Sequence, residues 1–120
     1  MSSTTRVGFI GLGAMGASMA KHLHAKGLLS VVGNRTHQKA EHLARELSVT
    51  AANDFADFAG CHVVVLCVSK DEDVLQCCED LSHVLLPGSV VIDHSTVARV
   101  TAQKAYALLQ QKQIAFLDAP

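Results

Sequence analysis

Three glycines, Gly11, Gly13 and Gly16, stand in the spacing G-x-G-x-x-G directly after the apolar run Val7-Gly8-Phe9-Ile10. Each has a separate task there. Gly11 permits a tight turn out of a strand, Gly13 lets main chain approach a bound group, and Gly16 lets a helix lie close against the strand. The run Gly11-Leu12-Gly13-Ala14-Met15-Gly16 then opens a helix, whose first N–H groups lack carbonyl partners and carry partial positive charge. The implied chemistry is capture of a diphosphate by main chain. Glycine-rich hexamers are common, but a strand before and an amphipathic helix after mark this one as a dinucleotide-binding turn.

A second group decides which dinucleotide. A carboxylate about 20 residues past the turn would grip the ribose 2′-hydroxyl of NAD. This chain has Gly33-Asn34-Arg35-Thr36 instead. Neutral Asn34 does not repel a 2′-phosphate, and the Arg35 guanidinium matches one with paired donors. Thr36 adds a hydroxyl, and Lys39 lies one turn further. The expected cofactor is NADP, with NAD less favoured. The plainer alternative makes Arg35 a solvated loop cation and Thr36 a helix cap.

The elements that must hold these residues alternate along the chain. Val7–Ile10 is followed by a helix in which Met15, Met19 and Leu23 repeat every four residues, with Gly27 at its C-terminal boundary. Leu28 to Val32 is the second strand. A second helix capped by Thr36 carries Ala40, Leu43, Ala44 and Leu47 on one face, with Glu41 and Arg45 paired outside. A brief strand, Val49 to Ala51, and a small-residue stretch lead to the continuous apolar run His62–Cys67, a strand covered on both faces. Ser69-x-x-Glu72 has the pattern of a capping box and opens a third helix with Val74, Leu75, Cys78, Leu81 and Leu85 inward. After the Pro87-Gly88 turn come a strand from Ser89 to Asp93, a helix from Ala98 to Gln111, and a strand from Ile114 to Leu117. This alternation predicts an α/β, doubly wound (Rossmann) parallel sheet of order 3-2-1-4-5-6 with helices on both faces.

With 120 residues and nearly half of them apolar, the chain supports one domain with an aliphatic core. A formal net charge of −1 gives no general attraction to nucleic acid or anionic membrane, so neither is expected as a partner. No apolar run reaches membrane-spanning length. The start, Met1 to Arg6, shows no apolar leader, which predicts a cytoplasmic protein. Cys61, Cys67, Cys77 and Cys78 form no C-x-x-C and read as buried thiols in a reducing compartment. Of seven histidines, His22 and His24 are two apart and His37 and His42 five apart, so neither couple makes the i, i+4 pair of a helical zinc site. No metal site is expected, and His94 is assigned no catalytic role. Asp71, Glu72 and Asp73 are accounted for by the favourable charge at a helix N-terminus.

The longer run Phe9-Ile-Gly-Leu-Gly-Ala-Met-Gly-Ala-Ser-Met-Ala-Lys-His-Leu23 resembles the signature of the β-hydroxyacid dehydrogenase family. That family includes 3-hydroxyisobutyrate dehydrogenases, tartronate semialdehyde and glyoxylate reductases, and the cofactor domain of 6-phosphogluconate dehydrogenase. Asp93-His94-Ser95-Thr96 is similar to its D-x-S-T segment, and Asp118-Ala119-Pro120 to the opening of its D-A-P-V-S-G-G motif. The resemblance implies that Thr96 lies near the nicotinamide ribose and that Val68 and Ser69 line the dinucleotide cleft. A capping role for Ser69 and for Thr96 stays open. It further implies that the catalytic lysine and an all-helical second domain lie beyond Pro120. Residues 1–120 are then a cofactor domain truncated near its C-terminal end, with no catalytic residue and no activity alone. The full-length protein would be a homo-oligomeric NADP-dependent dehydrogenase of a small carboxylated substrate, a 3-hydroxy acid or semialdehyde. The alternatives are a non-catalytic NADP-binding scaffold or sensor, or imine reduction on the same fold.

Overall fold

A computed structural model describes residues 5–120, so the reading of Met1 to Thr4 as lacking a leader lies outside the described residues. The strands are β1 (Val7–Ile10), β2 (Leu29–Gly33), β3 (Thr50–Ala51), β4 (Val63–Leu66), β5 (Val90–Asp93) and β6 (Ala115–Asp118). The helices are α1 (Ala14–Ala25), α2 (His37–Leu47), α3 (Asp71–Ser82) and α4 (Arg99–Gln110). All pairings are parallel, in the order β3-β2-β1-β4-β5-β6. The predicted doubly wound sheet is the observed one, with strand ends displaced by at most one residue. None of the described helices is long and apolar enough to cross a membrane.

Two hydrophobic layers sandwich the sheet. Val7 and Phe9 of β1 pack with Ala20 of α1 and Ala40, Leu43 and Ala44 of α2. Ile10, Val64, Leu66 and Val91 face the other way, onto Val74, Cys78 and Leu81 of α3 and Ala105 and Leu109 of α4. Successive strand residues point to opposite faces, so a sheet covered on both sides needs apolar residues at nearly every position. The three consecutive valines of β4 meet that need.

Several local expectations are corrected. On α1 the buried positions are Gly16 and Ala20, while Met15 is 68% exposed, because the helix must bring its smallest residues against β1. Met19 and Leu23 are only partly buried. Glu41 lies 3.6 Å from His37 one turn back, and the expected pair with Arg45 is not formed among the described residues. The stretch before β4 contains a 3₁₀ turn, Phe55–Phe58, which periodicity did not reveal. Phe58 is 2% exposed and packs over Gly8 and Gly33, where a β-carbon would meet its ring at 2.5 and 3.0 Å. The glycine inside β1 is thus the socket for an aromatic ring.

Candidate functional site

The order of the strands reverses between β1 and β4. Their chains leave in opposite directions there, opening a crevice beyond the carboxyl ends. A cleft of about 740 Å³ occupies it, lined by the glycine turn, Gly33 to Thr36, Cys67 to Ser69 and His94 to Thr96. Every residue singled out in the sequence therefore meets at one place: Gly11, Leu12, Gly13, Ala14, Met15, Gly16, Asn34, Arg35, Thr36, Val68, Ser69 and Thr96.

The floor is main chain. Gly11 has φ +104°, and a β-carbon on it would overlap the Cys67 carbonyl oxygen. A β-carbon on Gly16 would overlap the Gly11 carbonyl oxygen. Both glycines are fixed by packing within the chain. Gly13 differs: its φ is −64° and a β-carbon there would touch nothing. No contact among the described residues requires a glycine at 13, whereas a group lying over the turn would. The N–H groups of Gly13, Ala14, Met15 and Gly16 have no partner among the described residues, and α1 has no acidic residue in its first turn. Free donors, a helix dipole and open space fit a dinucleotide diphosphate.

The turn is braced from β2. The Leu12 N–H donates to Asn34 Oδ1 at 2.8 Å, and Asn34 Nδ2 donates to the Thr36 carbonyl at 3.1 Å. Thr36 precedes α2 in extended conformation, but its side chain makes no capping bond, so the capping alternative does not account for its hydroxyl. The Arg35 side chain is 77% exposed and lies 3.6 Å from Asp73 Oδ2.

Across the crevice the chain is held by side chains. Ser95 is buried, and its Oγ accepts the Val68 N–H at 2.8 Å. Asp93 Oδ1 accepts the Ser95 N–H at 2.9 Å. Asp93 is fully buried, and its Oδ2 has no hydrogen-bond partner among the described residues. Burial pushes its carboxyl above the usual carboxylate range, against the opposing pull of the Ser95 hydrogen bonds. The predicted capping box is not formed. Lys70, not Ser69, precedes α3, and its extended backbone leaves Ser69 exposed at the cleft. Helix α4 is preceded by Ala98, two residues past Thr96, which is likewise exposed and free of a capping role.

Sequence reasoning missed what the acidic run before Val74 does. Asp71 Oδ2 accepts from the Thr101 hydroxyl at 2.6 Å and the Ala98 N–H at 2.9 Å, tying α3 to the start of α4. Those bonds hold its carboxyl below the usual range, the Thr101 hydroxyl contributing most. Asp73 faces the cleft and Arg35. His94 was passed over too. Its Nδ1 lies 2.6 Å from the Ala119 carbonyl oxygen, which only accepts, so Nδ1 carries the proton and Nε2 is left without a partner among the described residues. Distant pairings of this kind leave no local signal. The cysteines are thiols: burial pushes Cys61 up to about 11 against the pull of Arg6, and Cys77 and Cys78 up to about 12.

Comparison with known proteins agrees with this geometry. The profile of the NAD binding domain of 6-phosphogluconate dehydrogenase matches residues 6–120. The chain is 33% identical to an NAD-dependent L-serine dehydrogenase of Pseudomonas aeruginosa, over 96% of this chain and 40% of the relative. It is 31% identical to a probable mitochondrial 3-hydroxyisobutyrate dehydrogenase of Dictyostelium discoideum, over 99% of this chain and 38% of the relative. The solved structure of a Mycobacterium tuberculosis 3-hydroxyisobutyrate dehydrogenase with L-serine superposes with a TM-score of 0.89 at 28% identity, covering 98% of this chain and 40% of that one. The chain thus spans about 40% of the length of these relatives. A match across the described sheet, glycine turn included, shows that the chain belongs to the family of the NAD binding domain of 6-phosphogluconate dehydrogenase.

Proposed function

We propose that this chain is the NADP-binding domain of an oxidoreductase that moves a hydride between nicotinamide and a small 3-hydroxy acid or semialdehyde. The observation that carries the reading is Gly13, a glycine that no contact among the described residues requires, at the head of four N–H groups without a partner among those residues. Those groups bind the diphosphate, and Leu12, held by Asn34, keeps their spacing. Arg35 and Thr36, with no carboxylate at the end of β2, take the 2′-phosphate. Val68, Ser69 and Thr96 contact the nicotinamide half and orient it. The bound cofactor supplies the hydride chemistry, and the chain supplies position and charge.

The general acid/base is a lysine beyond Pro120, in a helical second domain that also makes the homo-oligomer; residues 1–120 bind cofactor without turnover. The substrate is small and carboxylated, and neither nucleic acid nor membrane is a partner of the cytoplasmic protein. Titration with NADPH and NADH, followed by assay of the full-length protein on hydroxy acids and semialdehydes, tests the reading. The expected result is tighter binding of NADPH and turnover that is lost when the lysine is replaced. Tighter binding of NADH overturns the cofactor preference, and cofactor binding without turnover of any such substrate favours the scaffold or sensor.

A further inference from the structure

We infer that Asp73 is a specificity-determining residue that holds the Arg35 guanidinium in the free protein and acts against binding of a 2′-phosphate. The inference rests on the dinucleotide reading above and concerns a residue that does not follow β2 at all. Arg35 leaves the end of β2 and Asp73 sits in the first turn of α3, yet Arg35 Nη1 and Asp73 Oδ2 are 3.6 Å apart across the cleft. The side chain of Arg35 is 77% exposed and that of Asp73 30%, so the pair is solvated and separable. Lys39 and Asp54 also line the cleft. Asp54 is occupied at the 3₁₀ turn, where its Oδ1 accepts the Ala56 N–H. Asp73 is the carboxylate paired with the cation on which 2′-phosphate recognition depends.

Two consequences follow from electrostatics. A phosphate reaching Arg35 must displace Asp73 from the guanidinium, and bidentate phosphate geometry makes that exchange favourable. The carboxylate then remains beside a doubly charged group and repels it. A 2′-hydroxyl carries no charge for that carboxylate to repel. Asp73 therefore narrows the gap between NADPH and NADH, a restraint that the absence of a carboxylate after β2 conceals.

The test measures both dissociation constants for the wild type, Asp73→Asn, Arg35→Ala and the double variant, at low and high salt. Asp73→Asn is expected to tighten NADPH by roughly three- to tenfold, with NADH unchanged or weaker. The gain should shrink as salt rises and vanish in the Arg35→Ala background. Melting curves verify folding, and Asp73→Ser serves as a second variant with a favourable helix-start residue. An NADPH affinity that stays the same or falls, an equal gain for both dinucleotides, or a gain that persists without Arg35 overturns the inference. A wild type that prefers NADH overturns the NADP reading alone, since the effect of Asp73 is read as a change. Failure of both dinucleotides to bind overturns both.

Discussion

The two shores of the cleft reach the same edge of the sheet by different means. On the β1 side the turn is fixed by shape: Gly11 and Gly16 sit where any β-carbon would overlap a carbonyl oxygen, and the donors offered to a ligand are main chain. On the β4 side Val68 is fixed by a buried polar relay, its N–H donating to Ser95 Oγ while the Ser95 N–H donates to Asp93. Shape tolerates no substitution but is indifferent to pH. A relay ending in a fully buried carboxylate, one oxygen of which has no partner among the described residues, is sensitive to both its members and its protonation. On the proposed reading, the first shore would grip the diphosphate of a dinucleotide, and the second would hold the part where the reacting ring lies.

That contrast is broken most severely at Gly16. Gly16→Val forces α1 away from β1 and should cost about 3 kcal/mol, lowering Tm by about 10 °C and abolishing cofactor binding together with it. A variant with unchanged Tm would remove steric locking from the account. The relay should yield a smaller loss. Ser95→Ala strands the Val68 N–H and is expected to cost about 2 kcal/mol in denaturant unfolding, while weakening NADPH binding. Retention of both would show that the relay does not hold the second shore.

The smallest effect concerns pH. Because the folded-state carboxyl of Asp93 titrates above its unfolded value, its contribution to stability is full below the ordinary carboxylate range and is lost as pH rises through the raised value. Asp93→Asn does not titrate. Its melting temperature relative to the wild type should therefore improve from pH 4 to pH 7, and a flat difference across that range would contradict the upward shift of the Asp93 carboxyl.

The same contrast explains what could be read from the residues alone. The glycine turn, the sheet order and Gly27 as the left-handed residue after α1 (φ +75°) follow from rules acting over a few residues, and all were legible. The start of α3 was not. Ser69 and Glu72 have capping-box spacing, but the carboxylate of Asp71 is engaged by Ala98 and Thr101 of a helix start nearly thirty residues away, and the helix begins after Lys70. Phe58 filling the space over Gly8, Asp73 crossing to Arg35, and Ser95 reaching Val68 are equally long-range. Local propensity has no access to partners that only the closed sheet brings together.

The central claim is that the open face of Gly13 exists for a ligand and not for the fold. Gly13→Asp tests it directly, because aspartate is a preferred helix-start residue, its β-carbon has free space, and its charge complements the α1 dipole. The account predicts an unchanged or higher Tm with loss of both NADPH and NADH binding, since the new carboxylate occupies the diphosphate's donors and repels it. A Gly13→Asp protein that binds either dinucleotide as tightly as the wild type would contradict it.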